Sequence, residues 1–342
     1  MFKNYVPKEM FQKINDFLKG KKVLVLTHDL VDLDGFTSCF LFKTFFTNVC
    51  KSNEVFFLFS EFSRPLKEFI NRLNSKFPYV NFKLENIIDV LNIDVIVILD
   101  TNNLDQVGLP SDFDLINLNK PFFFIDHHLN LQKNYKENVA NLNLIDDSYS
   151  SSAEIIYEML DHFNLILDVP SKILLVAAIL VDSGFLQHGD NKTIFRVSKL
   201  LNDGVDYQEI ISMLKIEEDI SERIAKIKGL QRVALIQEGH WLIGITHVGS
   251  FEANVAASLL KFGFDVGIVC SKKKTEYRIS TRANKKICLK TGLHLGKILK
   301  EISEEMGANG GGHNGAASLT GKNGINVAKD KIIEKIKQVL NK

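Results

Sequence analysis

The sequence predicts an α/β chain of two domains: a first domain with a mainly parallel sheet flanked by helices, and a smaller second α/β domain. Three observations predict it. The chain has 342 residues, more than one typical domain holds. Its first half alternates short, continuous apolar runs with amphipathic stretches. From about Asp203 to Arg232 the character turns charged and helical, and a second alternation of strand and helix signals follows.

Taken in order, Val23-Leu24-Val25-Leu26 is the first strand signal, and Val55 to Phe59, Val95 to Leu99 and Phe122 to Ile125 are the next three. Continuous rather than alternating apolarity suggests strands covered on both faces, as in a parallel sheet. Ser151 and Glu154 have capping-box spacing ahead of a helix whose Ile155, Ile156, Met159, Leu160 and Phe163 share one face. Ile173 to Val181 reads as a helix. The charged stretch with Glu217, Glu218, Asp219, Glu222, Arg223, Lys226 and Lys228 reads as a solvated helix bridging two domains. Trp241 to Val248 then reads as a strand, Ala253 to Leu260 as a helix, and Val266 to Cys270 and Tyr277 to Thr281 as strands. Leu295 to Met306 is an amphipathic helix with Leu295, Ile298, Leu299, Ile302 and Met306 on one side. It runs into a glycine-rich loop, Gly310-Gly311-Gly312. The expected division is a first domain at 1–205, a helical linker at 206–232 and a second domain at 233–342.

Composition narrows the function. Lys and Arg number 42 against 41 Asp and Glu, for a formal net charge of +1. Proteins that live on long nucleic acid usually carry a basic surplus, because phosphate neutralisation supplies most of their affinity, so no long duplex is expected as ligand. The four cysteines include no C-x-x-C pair, which fits reduced thiols in the cytoplasm. The longest apolar run, Ile173 to Val181, falls far short of the roughly 18 residues that span a bilayer, so no membrane is expected as partner.

The chemistry collects where strands end. Val23 to Leu26 leads into Thr27-His28 and then Asp32 and Asp34; Val95 to Leu99 leads into Asp100; Phe122 to Ile125 leads into Asp126-His127-His128; Ile173 to Val181 leads into Asp182. A single Asp after a strand is usually a turn former or helix cap, and a single His is usually a satisfied polar residue. In an open parallel sheet, however, ligands bind beyond the carboxyl ends of the strands, and here three strands, with the segment ending at Asp182 as a fourth, deliver carboxylate or imidazole to that edge. Several carboxylates packed together repel one another unless cations neutralise them. Carboxylate with imidazole suits Mn²⁺, with Mg²⁺, Co²⁺ or Fe²⁺ as alternatives, and a pair of such ions is a known device of phosphoryl chemistry. Gly310-Gly311-Gly312 permits close backbone approach to a phosphate, with His313 beside it, or is a plain turn after a helix. No Lys-Ser/Thr follows it, so it is not a Walker loop.

These motifs resemble the DHH phosphoesterase family, in particular members with a C-terminal DHHA1 domain. His28, Asp32, Asp34 and Ser38 match the pattern His-x-x-x-Asp-x-Asp-x-x-x-Ser. Asp100 after its strand, the triplet Asp126-His127-His128, and Asp182-Ser183-Gly184 match the next three motifs. Gly310 to Ser318 is similar to the DHHA1 signature Gly-Gly-Gly-His-x-x-Ala-Ala-Gly, with Ser318 in place of the final Gly, and Ile279-Ser280-Thr281-Arg282 resembles the family strand that carries a substrate-binding Arg.

The resemblance implies a DHH catalytic domain, a DHHA1 substrate-binding domain and two divalent metal ions. His28 and Asp32 would hold one ion; Asp34, His127 and Asp182 the other; Asp100 would bridge them. His128 would face the substrate phosphate, Asp126 would orient the histidine pair, and Ser38 would be structural at the start of the following helix. Arg282, Gly311, Gly312 and His313 would grip a second phosphate or base. The implied activity is hydrolysis of very short oligonucleotides such as pApA, and of pAp, as in the nanoRNase and pAp-phosphatase type, with a homodimer compatible with the family. Cyclic-dinucleotide phosphodiesterases and RecJ-like single-strand exonucleases share the motifs and are the alternatives. Family II inorganic pyrophosphatases lack the Gly-Gly-Gly-His element. An inactive nucleotide-binding module should have lost metal residues, whereas all six are present here.

Overall fold

The computed structural model of the protein describes residues 8–82, 84, 92–108, 119–128, 137–202, 204–216 and 218–341. Chain contacts divide it into two units, Met1–Ile216 and Glu217–Lys342.

The first unit opens with α1 (Lys8–Leu18), β1 (Val23–Leu26), β2 (Leu30–Val31), α2 (Leu33–Asn48), β3 (Val55–Phe57), β4 (Glu61–Phe62) and α3 (Arg64–Lys76). It continues with β5 (Val95–Leu99), β6 (Phe122–Asp126), β7 (Leu144–Ile145), α4 (Ser152–His162), α5 (Val169–Asp182), α6 (Asn191–Leu201) and α7 (Tyr207–Leu214). Its main sheet has the order β3-β1-β5-β6-β7, and every pairing is parallel. The continuous apolar runs have the cause expected of them. Val23, Val25, Val97, Leu99, Phe123 and Ile125 face a core built with α2, α4 and α5, while Leu24, Leu26, Ile96, Ile98 and Phe124 pack on the opposite side with Leu58 and Val107. Helix α5 is apolar almost all round and is buried from Ile173 to Leu180, which makes it the central helix of that core. Because β1, β5 and β6 are parallel neighbours, their carboxyl ends lie side by side at one edge.

The second unit contains α8 (Ile220–Gln231), β8 (Ala234–Glu238), β9 (Trp241–His247), α9 (Glu252–Lys261), β10 (Val266–Lys272), β11 (Tyr277–Ala283) and α10 (Lys285–Thr291). After these come α11 (Leu295–Met306), β12 (Asn309–Gly312), β13 (Ala316–Gly321) and α12 (Ile325–Leu340). Its sheet has the order β12-β13-β11-β10-β9-β8, with only β9 and β10 parallel. Leu295, Leu299, Ile302, Ile332 and Ile336 of α11 and α12 bury one face; Val255, Ala256 and Leu259 of α9 pack with Val269 on the other.

Three local readings differ from expectation. The glycine stretch is not a loop: Asn309–Gly312 is an edge strand paired with β13. Glycine carries no strand propensity, but a Cβ on Gly310 would stand 2.7 Å from the Leu299 carbonyl oxygen, and one on Gly296 only 2.0 Å from that of Gly312. Backbone contact between α11 and β12 demands these glycines. The break between units falls inside the segment read as a bridging helix. Helix α7 packs on α3 and α5, with the Arg72 guanidinium donating to the carbonyl of Met213 at 2.8 Å, whereas α8 packs on α9. Finally, Ser38 lies in the second turn of α2 rather than at its start, and is fully buried. Among the described residues no helix is long and apolar enough to cross a membrane.

Candidate metal centre

Each histidine and carboxylate singled out in the first half of the chain arrives at the same sheet edge. Asp32 is the N-cap of α2 and its carboxylate accepts the Gly35 amide at 3.0 Å. The chain leaves β1 through Thr27 to His28, whose Nε2 stands 3.4 Å from Asp32 Oδ1 and 3.4 Å from Asp100 Oδ2. Asp100 follows β5 directly and adopts a left-handed backbone, φ 58°, an uncommon conformation that Asp tolerates and that clusters at functional sites. Asp126 closes β6; its Oδ1 meets Nδ1 of His128 at 2.8 Å, while its Oδ2 has no hydrogen-bond partner among the described residues. Asp182 ends α5 and reaches His127.

His127 Nε2 lies 2.9 Å from Asp182 Oδ2, 3.7 Å from Asp100 Oδ1 and 3.9 Å from Asp34 Oδ2. Close as the Asp182 oxygen is, the two atoms are not aligned as a hydrogen bond, and Nε2 is a buried nitrogen without a hydrogen-bond partner among the described residues. Lone pairs converging in this way suit a shared cation. Two sets of donors result, His28 with Asp32 and Asp100, and Asp34 with His127 and Asp182, each within 4.8 Å of one another. Asp100 turns Oδ2 to the first set and Oδ1 to the second. A third set of Asp100, Asp126, His127 and His128 also meets that distance, but there Asp126 and His128 are already joined by their hydrogen bond. The cluster could bind metal ions, and the residues fit them.

Electrostatics point the same way. Burial, then the charges of Asp100, Asp182 and Asp32, push the Asp34 carboxyl well above the usual range. Burial and Asp32 raise Asp100 too, against the pull of His28. Burial disfavours a charged His28, yet Asp100 and Asp32 outweigh it and lift the imidazole to about 10. His127 is raised against its burial by Asp182 and Asp100, and the Asp126 hydrogen bond takes His128 to about 9. Protons thus neutralise crowded carboxylates where divalent ions otherwise would. A hollow of about 490 Å³ opens over the cluster, lined by His28, Asp32, Asp100, Asp126, His128 and Asp182 among others.

Two contributors escaped the sequence reading. Ser152 opens α4; its amide donates to Asp34 Oδ2 at 2.6 Å and its hydroxyl to Asp100 Oδ1 at 2.9 Å, while the Ala153 amide donates to Asp34 Oδ1 at 2.9 Å. The start of a helix therefore aims both buried carboxylates. The run Ser150-Ser151-Ser152 signalled only a cap, and Ser151 is that cap, accepting the Glu154 amide; Glu154 in turn accepts from Ser150 rather than completing the box. The other is Gly35, where a Cβ would stand 2.8 Å from Thr27 Oγ1 and 3.0 Å from His28 Nε2. A glycine in the first turn of a helix was the available signal.

Arg282, Gly311, Gly312 and His313 lie in the second unit. Arg282 is on β11, half-buried; Gly311 and Gly312 are on β12; His313 is exposed, with its amide donating to the Ala316 carbonyl at 2.8 Å.

The described model of the N-terminal domain of the DHH family matches residues 22–180, and that of the DHHA1 domain matches residues 249–342. An uncharacterized protein of Methanocaldococcus jannaschii is 28% identical over 328 residues, covering 95% of this chain and 94% of that protein. Among solved structures, an exopolyphosphatase-related protein from Bacteroides fragilis superposes with a TM-score of 0.67 at 16% identity, covering 100% of both chains. The DHH domain of a member of the s1p family of ribosomal proteins gives 0.51 at 13% identity, over 96% of this chain and 91% of that one. With both domain models matched in order along one chain, and the histidines and carboxylates of the first gathered at a single sheet edge, the protein belongs to the DHH family of phosphoesterases with a C-terminal DHHA1 domain.

Proposed function

We propose that the protein is a two-metal phosphoesterase that hydrolyses very short oligonucleotides, pApA among them, and pAp. The observation that carries this reading is the position of Asp100, one carboxylate oxygen turned to each of two donor sets. His28, Asp32 and Asp100 would hold one ion, and Asp34, His127, Asp182 and Asp100 the other, with Mn²⁺ favoured by the mixed imidazole and carboxylate donors over Mg²⁺, Co²⁺ or Fe²⁺. Ions bound there supply a nucleophile from water at neutral pH and Lewis-acid stabilisation of the phosphoryl oxygens.

The protein's own groups do the rest. Ser152 and the amide of Ala153 fix the carboxylates of Asp34 and Asp100 so that neither must reorganise during the reaction. His128 is held at Nδ1 by Asp126, which keeps the ring charged and leaves Nε2–H for a phosphoryl oxygen. Water oxygen bonds to phosphorus, the bond to the leaving ester oxygen breaks, and the proton of His128 is available to that oxygen. Residues 233–342 would form the substrate-binding domain, with Arg282, Gly311, Gly312 and His313 on the far phosphate or base. Four buried, unbridged cysteines support a reduced, cytoplasmic setting.

The test is product analysis with chelator-treated protein, with and without added Mn²⁺, on pApA, pAp, cyclic di-AMP and a long single strand. Mn²⁺-dependent turnover of pApA and pAp with the long strand intact is the expected result. Stepwise shortening of the long strand would instead make it an exonuclease of RecJ type, turnover of cyclic di-AMP alone a cyclic-dinucleotide phosphodiesterase, and no turnover of any substrate an inactive nucleotide-binding module.

A further inference from the structure

Strand β11 carries a second arginine that the proposed function does not use. Arg278 and Arg282 are four residues apart on one strand, so their side chains leave the same face of the sheet. Their Cα atoms are separated by about 13 Å of strand rise. Arg278 is exposed and Arg282 half-buried, and among the described residues neither forms an ion pair with a carboxylate. Burial, and then the neighbouring charge of Arg278, make the Arg282 guanidinium a weaker base than usual. Two cations share a face; a carboxylate on that same face, that of Glu252, accepts from the hydroxyl of Ser271, the residue paired with Arg278.

Helix α9 packs on this face over β10, and the part of the face on β13 and β12 is left part-exposed. Ser280 lies between the two arginines, with 1% exposure and a hydroxyl that has no hydrogen-bond partner among the described residues. Register places Thr320 opposite Arg278, Ser318 opposite Ser280 and Ala316 opposite Arg282, with Gly311 opposite Ser318 on the next strand. Residues directly across an antiparallel ladder share a face, so all of these lie on the arginine side. They are small or hydroxylic, and Ala316, Ser318, Thr320 and Gly311 are each part-exposed. A Cβ on Gly311 would meet nothing within 4 Å, so no atom of the described protein explains why this position is open. Ser318 stands where the DHHA1 signature ends in glycine, and here it adds a hydroxyl to the middle of the row.

We infer that this face of β11, β13 and β12 binds the phosphate chain of a short oligonucleotide at two points, Arg282 taking one phosphate and Arg278, with the hydroxyl of Thr320, a phosphate further along. The inference rests on the proposed function for its substrate class and extends it: the chain discriminates oligonucleotides from mononucleotides through Arg278. Atoms of the reaction are untouched, so Arg278 sets affinity and length preference and leaves the chemical step alone.

The experiment uses the full-length protein in chelator, so that binding is read without hydrolysis, and a fluorescein-labelled, 5′-phosphorylated triadenylate followed by anisotropy. Arg278→Ala is expected to weaken binding by about tenfold and to flatten the dependence of log K on log salt by about 0.7, the loss of one phosphate contact on a single strand. Arg278→Lys should restore the salt slope and part of the affinity, and competition by AMP should be the same in all three proteins. Unchanged affinity and slope in Arg278→Ala, or no binding by the unsubstituted protein, would overturn the inference. Displacement by inorganic tripolyphosphate as strong as by unlabelled triadenylate would assign the face to polyphosphate and overturn the nucleotide assignment. A parallel Mn²⁺ assay separates the two readings: hydrolysis of triadenylate by both proteins, with equal KM, sinks Arg278 and leaves the function standing, whereas binding without any hydrolysis sinks the function and leaves the subsite.

Discussion

Asp100 and His128 sit a few ångströms apart and should fail in different ways. Asp100 is buried among Asp34, Asp32 and two imidazoles, and its carboxylate is the one group turned to both donor sets. Asp100→Asn keeps the shape but removes a charge that only a cation makes tolerable. The metal-free variant should therefore be as stable as the parent or more so, while Mn²⁺ content and kcat collapse, kcat by about a hundredfold or more. Thermal melts and metal analysis on the same sample check this; a loss of metal-free stability would show that Asp100 serves the fold instead. His128 is half-exposed, with Nδ1 committed to Asp126 and no place in either metal set. His128→Ala should lower kcat by about a hundred- to a thousandfold while Mn²⁺ content stays at the parent level. Depletion of metal in that variant would move His128 from the substrate side of the cluster to the metal side.

Two helix starts, those of α2 and α4, organise the cluster, and they divide what the sequence could reveal from what it could not. Strands β1, β5 and β6 were legible because sheets covered on both faces need unbroken apolar runs, and the acidic and imidazole residues after them were legible because they follow those runs directly. Ser152 was not, since it acts through an amide and a hydroxyl whose partners, Asp34 and Asp100, are distant in sequence. Strand β12 was not, since Gly310 is demanded by the backbone of α11 and Gly312 by that of β13, and neither by strand propensity. Ser152→Ala should cost about ten- to a hundredfold in metal affinity, the usual toll of losing a group that orients a ligand, with little change in the fold; titration of Mn²⁺ against activity measures it. Gly35→Ala sets two rules against each other. Helix propensity favours alanine by about 1 kcal/mol, but its Cβ would stand 3.0 Å from the His28 nitrogen. The contact should win: weaker Mn²⁺ binding and no gain in melting temperature. A more stable, fully active Gly35→Ala protein would mean that the cluster is looser than its distances indicate.

For the whole molecule, the two units have separate cores, and among the described residues only the first gathers groups that could hold metal. Without metal, His28 holds its proton to about pH 10 and His128 to about 9, both above the ordinary histidine value. A base raised by folding adds stability that is fully present below its unfolded pKa and is lost as pH climbs through the folded one. Asp34 and Asp100, also raised, act in the same direction: the native state holds protons that the unfolded chain has released, so their contribution shrinks with rising pH. Within the cluster Asp32, lowered by His28 and the Gly35 amide against its burial, runs the other way, and its window is acidic. Metal-free protein should therefore lose stability from about pH 6.5 upward. Divalent ions need the same groups deprotonated, so they bind more tightly as pH rises and release protons as they do. An ion present at a thousandfold over its Kd adds about 4 kcal/mol to the state that binds it. Calorimetry with and without Mn²⁺ at about pH 6 and about pH 8.5 should show one transition whose midpoint rises with the ion, by more at the higher pH. The other transition should be indifferent to Mn²⁺, because the second unit's apolar core has no stake in the cluster. A shift of equal size at both pH values would mean that Mn²⁺ does not displace these protons. A shift shared equally by both transitions would mean that it does not bind in the first unit alone.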